Sequence, residues 1–192
     1  MRTFRYIAQS CSLAILLCAS ALPAAAFKAP QASSSHSAQM GSSQDKQFIM
    51  KSSEGSLAEV ELGKLALQKS QNPDVKQFAQ KMIDDHTMLM NNMKPYADQM
   101  GVKPPTKLNA KHQQLENRLK SLSGDKFDKE YIKAMVADHH HDLGEFMAEE
   151  SKAADPGFKQ TVTQGTQVIR EHTQMIDDIA KKNGVPTPPM AS

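Results

Sequence analysis

Apolar residues recur every three or four positions through four long stretches of this chain, and runs alternating apolar with polar are absent. That pattern predicts helices and no sheet. The first stretch, 44–70, carries Phe48, Ser52, Gly55, Glu59, Leu62 and Ala66 on one face, with small residues around Glu59 that let a neighbouring helix come close. The second, 73–100, opens with Asn72 as N-cap and Pro73 in the first turn, presents Val75, Phe78, Met82, His86, Leu89, Met93 and Tyr96, and closes at Gly101. The third, 125–153, follows Ser123-Gly124-Asp125 and presents Ile132, Met135, His139, Leu143 and Phe146. The fourth, 156–183, repeats the start signal as Asp155-Pro156 and presents Phe158, Val162, Gly165, Ile169, His172, Ile176 and Ile179 before Gly184. These near-heptad seams belong to a bundle with a shallow crossing angle.

The connections narrow the topology. A few residues join the first two stretches, and a few join the last two, so each pair forms an antiparallel hairpin. The 101–124 link is much longer and holds Pro104-Pro105 and a short helical stretch with Leu108, His112, Leu115, Leu119 and Leu122. The expected fold is all-α: a ferritin-like four-helix bundle of two antiparallel hairpins, with a long crossover carrying a short extra helix. An up-down-up-down bundle with a helical side-piece is the alternative.

Each stripe is interrupted near its centre by one ionisable residue: Glu59, His86, His139 and His172. At about 1.5 Å rise per residue, a mismatch of two or three positions is only about 5 Å of height. Central placement therefore brings all four to one layer whichever way each helix points. Burying such groups is costly unless they are paired, hydrogen-bonded or metal-bound. Three of them share a local form, Met82-Ile83-Asp84-Asp85-His86, Met135-Val136-Ala137-Asp138-His139 and Val168-Ile169-Arg170-Glu171-His172.

Three imidazoles and a carboxylate make a donor set suited to zinc, and one that copper, iron or manganese also accepts. Asp85, Asp138 and Glu171 lie about 100° round their helices from the histidines, placed to hold the ligands rather than to bind. Asp142, one turn after His139, is placed to orient it. A copper reading adds thioethers from Met82, Met90 and Met135 to the imidazoles, although methionine is also an ordinary gap-filler of helical cores. Di-iron bundles place a Glu three residues before a ligating His; here those positions are Ile83, Val136 and Ile169, which argues against a di-iron oxidase centre. The alternative is a metal-free hydrogen-bonded layer that sets helix register. His36, His112, His140 and His141 read as solvated or flanking.

Outside 44–183 the composition changes. Arg2 and Arg5, the apolar run from Ile7 to Leu22 and Ala24-Ala25-Ala26 read as a cleaved secretory signal over 1–26, with Phe27 as the new N-terminus. Residues 27–43 read as a flexible leader and 184–192, with Pro186, Pro188 and Pro189, as a disordered tail. Cys11 and Cys18 leave with the signal, so disulfides and thiolate metal sites are not expected. Without Arg2 and Arg5, 21 basic residues face 21 acidic ones. That balance gives no electrostatic case for nucleic acid, and no second apolar stretch is long enough to span a membrane.

The stretches Ala58-Glu59-Val60-Glu61-Leu62-Gly63-Lys64-Leu65-Ala66, Phe78–His86 and Phe127-Asp128-Lys129-Glu130-Tyr131 resemble one bacterial family. It is the exported, ferritin-like "domain of unknown function 4142" family, often labelled an outer membrane protein. The resemblance covers about residues 44–183. It implies a four-helix ferritin-like domain in the periplasm or cell envelope, whose histidines correspond to His86, His139 and His172, and it supplies no reaction. The chain shows neither transmembrane helices nor β-barrel strands.

Together these features lead us to expect an exported envelope or periplasmic bundle that binds a divalent metal in its Glu/His layer, with a stress-protective role. An envelope protein is the expected partner, and the sequence carries no sign of oligomeric state. One rival is a protein-interaction module whose histidines are structural. Another is a metal-dependent redox or hydrolytic enzyme, which would need a metal with an open position.

Overall fold

The computed structural model describes residues 41–190; the expected signal peptide, both cysteines, His36 and most of the expected leader lie outside them. Five helices follow one another: α1 Ser43–Lys69, α2 Pro73–Met100, α3 Ala110–Lys120, α4 Gly124–Lys152 and α5 Pro156–Lys182. Among the described residues there is no strand, and no helix is long and apolar enough to cross a membrane.

Local chemistry sets the helix starts. Ser42 and Asp45 form a reciprocal capping box at α1. Asn72 accepts from the N–H groups of Asp74 and Val75 ahead of α2, and Asp155 accepts from the Phe158 N–H at 2.7 Å ahead of α5. Pro73 and Pro156 occupy first-turn positions, where the missing N–H costs nothing. α2 ends at Gly101, whose φ of 69° lies in the left-handed region that glycine occupies without strain. After α5, residues 184–190 carry no regular structure. The Val185 N–H nevertheless donates to Ala180 O at 2.9 Å, and its side chain packs on the bundle.

Two apolar clusters define the packing. One gathers the end of α1 (Leu62, Ala66), the start of α2 (Val75, Phe78), the end of α3 (Leu119), the start of α4 (Phe127, Tyr131) and the end of α5 (Ile176, Ile179). The other gathers the start of α1 (Phe48, Ile49), the end of α2 (Leu89, Ala97), the end of α4 (Leu143, Phe146) and the start of α5 (Phe158, Val162). α2 therefore finishes at one end of the bundle and α4 begins at the other, so the 101–123 connection runs its full length. That is the ferritin-like arrangement of two hairpins, as the sequence predicts. α1 packs on α2 and α4, α5 on α4 and α2, and α3 lies against α1 and α4. The approach of α1 to α2 is tight at Gly63, where a Cβ would stand 2.9 Å from the Ala79 carbonyl oxygen.

Candidate metal centre

Between the two apolar clusters lies a single polar layer. Glu59, His86, His139 and His172, one from each long helix, are 2%, 1%, 0% and 0% exposed. The three imidazole rings form a near-equilateral triangle, with centroids 5.9 Å apart for His86–His139, 5.3 Å for His86–His172 and 5.5 Å for His139–His172. Each can offer a ring nitrogen within 4.8 Å of the other two. Glu59 stands beside them, with Oε2 2.8 Å from His86 Nε2 and Oε1 3.3 Å from His139 Nδ1. Phe78 closes one side, its ring 5.6 Å from His139 and 6.4 Å from His172.

Each ring is tied to a partner through one nitrogen only. His139 Nδ1 bonds to the Met135 carbonyl oxygen at 2.9 Å, one turn back on α4. His172 Nε2 bonds to Asp85 Oδ2 at 2.8 Å, across the α5–α2 interface. His86 Nδ1 meets Ser56 Oγ at 3.2 Å, across the α2–α1 interface. A carbonyl and a carboxylate only accept, so the protons of His139 and His172 sit on Nδ1 and Nε2 respectively. The other nitrogens, His139 Nε2, His172 Nδ1 and His86 Nε2, are buried and have no hydrogen-bond partner among the described residues, and the same is true of both oxygens of Glu59. Glu59 Oε2 and His86 Nε2 lie 2.8 Å apart but are not aligned as a hydrogen bond.

The electrostatics follow from this crowding. Burial pushes the Glu59 carboxyl up, but in acid, where the facing His86, His139 and His172 rings take protons, their attraction outweighs it and holds the group down at about 2. Burial pushes the His172 imidazolium down, with His139 and His86 adding to the effect, to about 3, against the opposite pull of Asp85 and Glu59. His139 is lowered too, by burial first, against the pull of Glu59. Around a buried carboxylate, His139 and His172 are thus held neutral, with their lone pairs free.

The outer residues divide. Asp85, held by Lys81 at 2.7 Å, bonds to His172 across the α2–α5 interface rather than to His86, its neighbour along the chain. Glu171, expected beside His172, is exposed on α5, and the carboxylate on His172 comes from α2 instead. Asp142 does not orient His139; the Met135 carbonyl does, because a helix brings that oxygen one turn back to Nδ1. Asp142 faces Gly55 of α1, its Oδ2 3.4 Å from where a Cβ would lie. Asp138 faces Lys111 of α3 at 3.9 Å. Burial pushes both carboxyls up, and nearby Glu59 adds to it.

Met82 and Met135 are fully buried in the apolar cluster with Phe78, Tyr131 and Ile132. Met90 is half-buried and shares a narrow pocket with Ser52, Ser53 and Ser56. Ser56, which holds His86, was not singled out from the sequence; its place one turn before Glu59 on the same face is the signal that would have found it.

An all-helical bundle of two hairpins joined by a full-length crossover has the ferritin-like fold. Its sequence matches the DUF4142 family, a domain of unknown function, over residues 29–179, and the chain belongs to that family. Similar solved structures include a DUF305 fragment from Deinococcus radiodurans, with TM-score 0.65 and 15% identity over 74% of this chain and 98% of that one. A DUF305 protein from Streptomyces coelicolor, a candidate secreted protein by its name, has TM-score 0.65 and 11% identity over 78% of this chain and 98% of that one. A two-domain protein from Anabaena variabilis with DJ-1/ThiJ/PfpI-like and ferritin-like domains has TM-score 0.55 and 15% identity, over 79% of this chain and 41% of that one. At such identities the likeness is one of fold. No curated protein matches the sequence.

Proposed function

We propose that this protein is an exported envelope protein that binds one divalent cation, zinc by preference, through His86, His139, His172 and Glu59. The observation that carries the reading is the hydrogen-bond inventory of the layer. Two imidazoles with fixed tautomers and one carboxylate turn acceptors into the layer, and among the described residues the buried donors left to meet them are one N–H of His86 and the Tyr131 hydroxyl, itself without a partner and within reach of the Glu59 charge. A metal-free register layer needs donors for its acceptors, since unmatched buried polar groups each cost about 1–3 kcal/mol. A cation satisfies all of them at once. The anchoring of each ring through its other nitrogen is the arrangement in which ligating histidines are usually held.

Three neutral nitrogens and one carboxylate oxygen suit a borderline cation, and a bound cation would act as a Lewis acid toward an oxygen ligand. In that state His139 and His172 would keep their protons on Nδ1 and Nε2, held by the Met135 carbonyl and Asp85, while Phe78 and the two apolar clusters exclude water from the ring faces. We assign the protein a metal-holding role in the envelope, protective when cations are in excess, in preference to a conventional enzyme.

The test is calorimetric titration of chelator-treated protein with Zn2+ and Cu2+, alongside thermal melting. Zinc should bind stoichiometrically and raise the melting temperature, because binding only to the folded state stabilises it. His172→Ala and His86→Ala should abolish that binding. No heat of binding and an unchanged melting midpoint in the wild type would overturn the reading and leave the layer structural.

A further inference from the structure

A cavity of about 190 Å3 lies between α1, α3 and α4, and Glu59 forms part of its wall. It is the place where the buried layer meets a recess open to solvent. One turn of α4 lines it with a second donor set. His141, Asp142 and Glu145 each offer a ligand atom, all within 4.8 Å of one another, and His141 Nε2 lies 3.5 Å from Glu145 Oε1.

Exposed acidic groups alone would mean little, since His141 is 69% exposed and most such clusters are simply solvated. A separate observation comes from the crossover. His112 of α3 lines the same cavity, is only 9% exposed, and its Nδ1 is buried with no hydrogen-bond partner among the described residues. Charge points the same way. Glu54, Glu59, Asp138, Asp142 and Glu145 face the cavity against two lysines. Lys51 is engaged by Glu145 at 2.8 Å and Lys111 stands 3.9 Å from Asp138. Asp142 and Glu59 have no lysine partner among the described residues. A recess lined by an excess of one sign of charge concentrates counter-ions.

We propose that this cavity is the loading route for divalent cations, with His141, Asp142 and Glu145 as an outer docking site that passes the ion by way of His112 to Glu59. The destination rests on the histidine layer being a metal site; the outer site stands on its own donors. One imidazole and two carboxylates form a harder set than the inner three imidazoles, so the outer site holds cations more weakly and releases them inward. Lys51 must leave Glu145 as the ion docks, which a half-exposed lysine does readily.

Co2+ serves as the probe, because an N-rich four-coordinate site colours it strongly and an O-rich six-coordinate site weakly. The wild type should take up two Co2+ per chain by equilibrium dialysis. The double variant His141→Ala/Glu145→Gln lies on the surface and should keep wild-type helix content. It should bind one Co2+, with the intense spectrum intact, and fill that site about tenfold or more slowly in stopped flow. If it still binds two, or fills the inner site at the wild-type rate, the proposal is overturned. His86→Ala separates the two readings. Should it leave all Co2+ binding intact while the double variant removes it, the layer is not a metal site and the outer site stands. Should the wild type bind a single Co2+ that His86→Ala removes and the double variant neither removes nor slows, the outer site falls and the layer stands.

Discussion

Replacing Asp85 with Asn keeps the shape of the side chain that holds His172 and removes its charge. Asp85 Oδ2 stands 2.8 Å from His172 Nε2, and as a carboxylate it can only accept, so it pins the imidazole proton outward. An amide can donate instead. Donating to Nε2 moves the ring proton to Nδ1, the nitrogen that is otherwise free inside the layer. Losing such an outer partner costs about 10–100-fold in metal affinity, or roughly 1.4–2.7 kcal/mol. With zinc fixed at about a thousand times the wild-type Kd, the wild type gains about 4.1 kcal/mol and the variant about 1.4–2.7 kcal/mol. At about 2–4 °C per kcal/mol for a domain of this size, the wild-type rise in Tm is roughly 8–16 °C. The variant should keep about one third to two thirds of that rise. Without metal, the loss of one charge-assisted bond at a partly exposed site should cost about 1 kcal/mol. Melting of both proteins with chelator and with zinc, plus a titration for Kd, measures all of this. If the variant binds zinc as tightly as the wild type and its zinc-induced rise is undiminished, Asp85 does not set the His172 tautomer and the argument from anchored rings fails.

The metal-free protein should lose stability as pH falls from 6.5 toward 3, because over that window the unfolded His172 takes a proton that the folded one, held at about 3, refuses. His139, lowered for the same reason, adds to the slope; denaturant melts across this range for wild type and His172→Gln check it, and an equally steep slope in the variant would refute the assignment. Two helical glycines should respond oppositely to alanine. Gly63→Ala puts a Cβ 2.9 Å from a backbone oxygen and should destabilise by about 1 kcal/mol net of the helix-propensity gain. Gly144→Ala, with nothing within 4 Å, should stabilise by about 0.5–1 kcal/mol. Urea unfolding of both decides it, and a gain in stability for Gly63→Ala would contradict the tight α1–α2 approach.

Much of this protein was legible along the chain because its signals are local. Helix starts at Asn72-Pro73 and Asp155-Pro156 depend on a side chain reaching backbone N–H groups two or three residues on. Helix identity depends on a 3.6-residue period, and both survive without knowledge of any partner helix. The length of the 101–123 connection likewise pointed to the two-hairpin topology, since a short loop cannot return the chain to the far end of a bundle, but the choice against an up-down-up-down bundle came from which helix ends pack together. Even the meeting of Glu59, His86, His139 and His172 was foreseeable, because mid-helix residues coincide in height for every direction of packing.

What the sequence could not determine was which neighbour each of those side chains would find. Asp85, not adjacent Glu171, became the carboxylate on His172, because the α2–α5 interface faces one of them inward and leaves the other in solvent. Asp142 turned from His139 toward α1, and His112 of the crossover came to rest over the same recess. The helical period reports only a residue's angle about its own axis. Rotation of one helix against the next, which decides who hydrogen-bonds to whom and where a cavity remains, is settled by the interlocking of both surfaces and exists only once they are packed.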